Sequence, residues 1–99
     1  MQLSDAQRKH LRRLAHDRKT IVQTGSNGVT EAVIKELSGA LAHHELVKVK
    51  VVAGDREERD ILIDRLAEQT GAVLVQRVGH VATLFRRNEE KPRIELPRR

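Results

Sequence analysis

The segment 46–53 restricts the possible folds of this chain more than any other stretch. Apolar and basic residues alternate along it, as in Val47, Lys48, Val49, Lys50 and Val51. This period of two is typical of a strand with one buried face and one more open face. Helical patterns precede it, over about 30–42, and follow it, after the capping residue Asp55. A strand between two amphipathic helices predicts strand–helix–strand units with parallel pairing and right-handed crossovers.

The remaining segments complete the order α-β-α-β-α-β-β. Ser4 begins a capping-box pattern, which predicts a first helix over about 5–16, and an apolar run predicts a short strand over about 20–23. Two further strands are expected over 72–78 and 81–86, joined by a type II′ hairpin turn that begins with glycine. We therefore predict an α/β fold, a compact domain around a four-stranded mixed sheet.

The third helix and the C-terminal segment give two further expectations. The inner face of the helix is expected to contain Ile61, Leu62, Leu66 and Ala67. The length of the chain fits one domain, which we place at residues 1–87. Residues 88–99 are polar and basic and contain two prolines, so we expect an extended tail there rather than a packed element.

The distribution of charge favours a polyanionic partner. The formal net charge is +5, and both ends of the chain, 1–20 and 72–99, are basic, whereas 55–71 is acidic. If the two basic ends meet in space, they form one positive face of the kind found in nucleic-acid-binding proteins. The alternative is a generally basic protein whose charge serves only solubility.

Several classes of site are excluded or disfavoured by composition and spacing. Without cysteine there are no disulfides, thiol nucleophiles or thiolate metal sites. The five histidines lack metal-pair spacing, and Ser26 lacks the flanking glycines of a nucleophile elbow. We predict a protein that is not an enzyme, with no metal, cofactor or small-molecule substrate. Because no membrane-length apolar run or signal-peptide pattern is present, we expect a cytoplasmic protein without a membrane partner. We also expect a monomer.

The strongest candidate site is the loop Gly25-Ser26-Asn27-Gly28, between a predicted strand and a predicted helix. Glycine can adopt positive φ and has no Cβ, so another backbone can approach closely. The helix that follows directs unpaired N–H groups and the positive end of its dipole toward the loop. Such a loop can bind an anion, and a phosphodiester suits a basic protein. The same pattern also fits a turn that uses its glycines for geometry alone.

The near absence of aromatic residues limits how RNA could be bound. Phe85 is the only aromatic residue, and we expect it in the core, so base stacking of the kind used by sheet and barrel readers is not available. Binding should rely on phosphate and sugar contacts, with specificity mainly from RNA shape. The loop matches the backbone-clamping GXXG loop of KH domains. Five cations are predicted to contact RNA beside the loop: Arg12, Arg13, Lys19, Lys48 and Lys50.

Several segments together resemble the CRM domain (chloroplast RNA splicing and ribosome maturation). The resemblance is carried by Gly-Ser-Asn-Gly before a helix, at 22–31, followed by His-His-Glu-Leu-x-Lys-Val-Lys at 43–50. It extends from residues 3–16 to the closing Leu-Pro at 96–97 and so covers essentially the whole chain. The chain is most similar to stand-alone bacterial members of the YhbY type.

This resemblance implies a fold like the C-terminal domain of bacterial initiation factor three and an RNA-binding function. Bacterial members of the family are linked to precursors of the large ribosomal subunit, and plant members assist intron splicing. Residues Gly25, Ser26, Asn27 and Gly28 match the RNA-contacting loop of the family. The flanking cations are inferred from charge alone. The sequence departs from the expected pattern at His80, where a basic or polar residue is expected, so the positive charge there depends on pH.

The leading prediction is a non-enzymatic protein that binds structured ribosomal RNA in large-subunit precursors through the glycine loop and a basic surface. The alternative is a protein-interaction module that docks a ribosomal or assembly protein through its acidic third helix. In that case the glycine loop is only a turn. A phosphate-ester enzyme is disfavoured because neither a general base nor a metal site is visible.

Overall fold

The protein is described by a computed structural model over residues 1–98, and the last residue of the predicted tail, Arg99, lies outside the described residues. The order α-β-α-β-α-β-β and the four-stranded mixed sheet are confirmed. The helices are α1 (Asp5–Ala15), α2 (Glu31–His44) and α3 (Arg56–Thr70). The strands are β1 (Thr20–Gln23), β2 (Leu46–Lys50), β3 (Val73–Val78) and β4 (Val81–Phe85).

The helix ends follow the capping residues of the sequence. Ser4 Oγ accepts a hydrogen bond from the Gln7 N–H at 3.1 Å, and the Ser4 N–H donates to Gln7 Oε1 at 3.0 Å, which completes a capping box. Asp55 accepts from the Glu58 N–H at 2.8 Å at the start of α3, and Gly71 ends this helix with a φ of 75°. Local sequence therefore determines where these helices begin and end.

The order of the strands across the sheet is β1-β2-β4-β3. β1 pairs with β2 in parallel, as predicted, but β4 lies between β2 and β3 and pairs with both in antiparallel orientation. The predicted parallel pairing of β2 with β3 is therefore wrong. The reason is burial, because four of the five residues of β4 are buried, as a central strand requires, whereas β3 is only partly buried and fits an edge.

The main core lies between the sheet and the helices α2 and α3. It contains Leu37, Leu41, Val49, Ile63 and Leu66. The predicted inner face of α3 is wrong in one position, because Ile61 is 59% exposed while Ile63 is buried. A second core lies on the other face of the sheet and joins α1 to the C-terminal segment through Leu11, Ala15, Phe85, Val75 and Ile94.

Residues 88–98 form no helix or strand but pack against the domain, so the prediction that this segment is not a packed element is wrong for these residues. Ile94 is buried in the second core. The carboxylate of Glu45, itself fully buried, accepts hydrogen bonds at 2.7 Å from the backbone N–H groups of Asn88, Arg93 and Ile94. These bonds fasten the segment to the junction of α2 and β2, while the domain boundary at residue 87 stays a prediction.

Candidate functional site

One face of the sheet is covered along only part of its length. Leu46 of β2 and Phe85 of β4 are paired on this face, and both are buried with α1 in the second core. Because side chains alternate along a strand, the next paired residues on the same face lie two positions away. They form a polar row across all four strands, which consists of Thr20, Lys48, Thr83 and Gln76. A third row lies beyond it and consists of Gln23, Lys50, Val81 and Val78.

A β-bulge in each edge strand brings the outer two members into the polar row. In β1, Thr20 is paired with Lys48 and Val22 with Val49, so that Ile21 is the additional residue. An additional residue reverses the alternation, which lets Thr20 share the face of Lys48 while Val22 packs in the main core.

The bulge in β3 acts in the same way. Leu74 is paired with Leu84 and Gln76 with Thr83, so Val75 is the additional residue. Val75 is buried against α1, and Gln76 joins the polar row on the same face. The Arg8 guanidinium of α1 donates from Nη1 to the carbonyl oxygens of Leu74, at 2.6 Å, and Val75, at 2.8 Å. Arg8 therefore holds this bulge in place.

The polar row forms the floor of a cleft of about 300 Å³. Arg12 and His16, in the last turn of α1 and just after it, stand at one rim, and Val78 and Val81 of the third row lie at the other. Of these, Val78 is 67% exposed. The cleft therefore has hydrogen-bonding groups and the Lys48 ammonium at its base and the Arg12 guanidinium at its side.

The loop Gly25–Gly28 lies at the edge of the sheet where the third row ends. The Thr24 N–H donates to the Lys50 carbonyl oxygen at 3.0 Å, which places the loop next to this lysine. Within the loop, the Gly28 N–H donates to the Gly25 carbonyl oxygen at 3.1 Å. Gly28 has a φ of 72° and therefore needs glycine for its conformation, whereas a Cβ on Gly25 would meet no protein atom within 4 Å.

The loop is separated from the first residue of α2, Glu31, by two residues. Thr30 caps this helix by accepting from the Val33 N–H at 3.2 Å, so the helix offers fewer free donors to an anion than its sequence indicates. In the loop itself, Ser26 and Asn27 are exposed, and neither backbone N–H meets a protein acceptor within residues 1–98. These two N–H groups are the donors that a bound anion could use.

The structure brings some of the predicted cations together and separates others. Arg12 and Lys48 line the cleft, and Lys50 is exposed in the third row beside the loop. Arg13 is exposed on α1 but does not line the cleft. Lys19 lies just before β1, in a separate cleft of about 270 Å³ that also contains Arg18, Ile21 and His44.

Sequence reasoning missed Thr20, Gln76 and Thr83 as possible ligand contacts. They are uncharged, and two of them reach the cleft only because of the bulges, which no short motif announces. The lysine of the row was found because it alternates with buried valines. Polar residues that are paired across neighbouring strands can be found only from the correct strand order, and the predicted order was wrong.

The cleft offers hydrogen-bonding groups and cations to a ligand. Within residues 1–98, no three His, Cys, Asp or Glu side chains lie close enough to hold a metal ion. No helix in this part of the chain is long and apolar enough to cross a membrane. Partial burial lowers the pKa of His44, and the nearby charges of His43, Arg18 and Arg93 add to this effect. The acidic helix α3 packs on the opposite face of the sheet, where Asp60 pairs with Arg77 at 3.0 Å.

A family comparison identifies the chain. The model of the CRS1/YhbY (CRM) domain matches residues 3–86. The chain belongs to this family. The loop Gly25–Gly28, the polar row and α1 all lie inside the matched region, so the site described above belongs to the CRM domain itself.

Individual relatives are similar over nearly their whole length. A protein of Haemophilus influenzae, named an RNA-binding protein, is 44% identical over 98% of this chain and 97% of its own. A Bacillus subtilis protein named a probable RNA-binding protein is 34% identical over 96% of this chain and 99% of its own. The solution structure of a Staphylococcus aureus protein, described as a candidate RNA-binding protein, has a TM-score of 0.83 and 35% identity over 97% of this chain and all of that one.

Proposed function

We propose that this CRM protein binds structured ribosomal RNA during assembly of the large ribosomal subunit and catalyses no reaction. The observation that carries the proposal is the continuity of one surface. The exposed N–H groups of Ser26 and Asn27, the Lys50 ammonium and the cations of the cleft all lie on or beside one half-covered sheet face. The family and the names of the relatives support RNA as the ligand.

In this proposal, the loop and the lysines contact different phosphates of the RNA. A phosphate at the loop accepts hydrogen bonds from backbone N–H groups, and the absence of a Cβ on Gly25 lets the RNA backbone approach. Lys50 and Lys48 neutralise neighbouring phosphates along the face. Such contacts position RNA and carry little sequence information themselves.

A salt series tests the proposal with a structured fragment of large-subunit ribosomal RNA. Each phosphate contact that is lost should reduce the slope of log affinity against log salt concentration by about 0.7 to 0.9. We expect this reduction for Lys48→Gln and for Lys50→Gln. Lys35→Gln is the matched control, because Lys35 is exposed on α2, which packs on the other face of the sheet. Affinity that does not depend on salt contradicts the proposal.

The alternative function, docking of a basic protein through α3, is separated by a charge reversal. Ile61 is exposed within the acidic surface of this helix, which is the observation that favours a protein contact there. Asp64→Lys with Glu68→Lys reverses charge at two exposed positions without touching the Asp60–Arg77 pair. If RNA affinity is unchanged or increases, the proposed function stands. If the variant no longer binds a partner protein and RNA binding is nonspecific, the alternative function replaces the proposed one.

A further inference from the structure

Two members of the polar row are available to a ligand. Thr83 is only 1% exposed, yet its hydroxyl, like the amide of Gln76, forms no hydrogen bond with another side chain or backbone group of residues 1–98. A hydroxyl and a carboxamide can each donate and accept hydrogen bonds. Neither group is fully enclosed, since Arg59 Nε is the one fully buried side-chain polar atom of residues 1–98 that lacks a partner, so both can be reached by a ligand in the cleft.

The two bulges give independent support. Bulges can protect the edges of a sheet, but they are also frequent beside binding sites, where they redirect a side chain. Here both bulges direct a polar side chain, Thr20 in one strand and Gln76 in the other, into the same row. Edge protection alone does not require that coincidence. The Arg8 guanidinium, bound to two carbonyl oxygens at the β3 bulge, fixes the position from which Gln76 projects.

The size and lining of the cleft restrict what it can hold. A volume of about 300 Å³ is at the lower end of the range of about 300 to 1,000 Å³ that is typical of small-ligand sites. Arg12 at its side and Lys48 in its floor supply positive charge, and His16 is the one ring among residues 1–98 that lines it. It therefore suits one nucleotide held by hydrogen bonds and charge rather than a series of stacked bases.

We infer that this cleft holds one unpaired nucleotide of the bound RNA and reads its base. Arg12 and Lys48 contact the phosphate of that nucleotide, and Gln76 and Thr83 form hydrogen bonds with the edge of the base. The inference rests on the proposed function and adds base selectivity to it, whereas phosphate contacts alone leave specificity mainly to RNA shape.

The test compares short single-stranded oligo(A), oligo(C) and oligo(U) of equal length, with affinities measured by fluorescence anisotropy at one salt concentration. Wild type should prefer one of the three by roughly tenfold, within the range expected for a good base contact. Gln76→Met and Thr83→Val keep the size of each side chain and remove its hydrogen-bonding groups. Each should reduce the preference to about twofold or less. Gln69→Met, an exposed change on α3, should leave it unchanged.

The salt series on the ribosomal RNA fragment separates failure of this inference from failure of the proposed function. The variants at Gln76 and Thr83 should retain the wild-type salt slope, because neither residue contacts a phosphate. If wild type binds RNA with the expected slope but shows no base preference, or the preference survives both substitutions, the inference is wrong and the proposed function stands. If wild type shows no salt-dependent binding to any RNA, both are wrong.

Discussion

Replacing Glu45 by glutamine should loosen the C-terminal segment without unfolding the domain. One carboxylate oxygen accepts from the Arg93 and Ile94 N–H groups and the other from the Asn88 N–H, each at 2.7 Å. Glutamine keeps one acceptor oxygen but opposes the third N–H with its own amide donor. Hydrogen bonds to a charged group contribute about 1.5 to 3 kcal/mol each, so we expect a loss of about 2 to 3 kcal/mol. A domain of this size has about 5 to 15 kcal/mol of stability and should remain folded.

The pH dependence of Glu45 gives the same prediction a second readout. Burial alone would raise the pKa of Glu45, but the three backbone N–H donors and the charge of Arg87 outweigh it, so the pKa lies below its ordinary value. The ionised carboxylate therefore stabilises the folded state above the ordinary carboxyl pKa. This contribution is lost as the pH falls through the lowered pKa of the folded state. Glu45→Gln should remove this part of the acid destabilisation.

Urea unfolding at neutral and acid pH, with amide hydrogen exchange of Ile94, measures both effects. In the variant, the Ile94 amide should exchange faster than amides of β2 and β4, because its acceptor is weakened while the sheet is intact. Glu36→Gln, an exposed change on α2, is the control. If the Ile94 exchange rate and the loss of stability at acid pH are the same in wild type and in Glu45→Gln, Glu45 does not fasten the C-terminal segment.

Four further substitutions give separate predictions. Arg8→Met should lower the free energy of unfolding by about 1.5 to 3 kcal/mol, because it loses two hydrogen bonds to the β3 bulge. Urea unfolding measures this loss. If Arg8→Met is as stable as wild type, Arg8 does not hold the bulge in place. Gly28→Ala should cost about 1 kcal/mol of stability because of its φ of 72°, whereas Gly25→Ala should leave stability unchanged and lower only the affinity for the ribosomal RNA fragment. If Gly28→Ala is as thermally stable as wild type, the prediction for Gly28 is wrong. If Gly25→Ala binds the RNA fragment as tightly as wild type, the prediction for Gly25 is wrong. Arg13→Gln should change the RNA salt slope less than Lys48→Gln because Arg13 lies outside the cleft, and equal changes would contradict this placement.

The local elements of the fold were predictable because their signals are local. The capping box at Ser4 and the helix-ending Gly71 are patterns within a few residues, and the structure contains both. The alternation at 46–50 likewise identified β2, although the strand ends at Lys50, earlier than expected. The order of the strands is a different kind of property, because it depends on which strand buries both faces. The sequence of β4 contains no charged residue, which indicates a strand buried on both faces. The prediction instead followed the strand–helix–strand pattern, which places β3 beside β2.

The candidate site was predictable only where charge or glycine marked it. Lys48 and the loop Gly25–Gly28 are visible in the sequence. Gln76 is not, because its direction depends on a bulge held by a residue of α1 that is distant in sequence. The packing of the tail was hidden for the same reason, since the acceptor for Ile94 is Glu45, 49 residues away.

The most direct test of RNA binding at the loop is the affinity of Ser26→Asp with Asn27→Asp for the structured large-subunit RNA fragment, over a salt series. Both glycines remain, so the turn should persist, while two negative charges face the proposed phosphate. The control is Gln2→Glu with Gln69→Glu, which lowers the net charge equally at exposed positions outside the loop. We expect the loop variant to stay folded and to lose most of its affinity, while the control binds nearly as wild type. Equal affinity of the loop variant and the control would contradict this expectation.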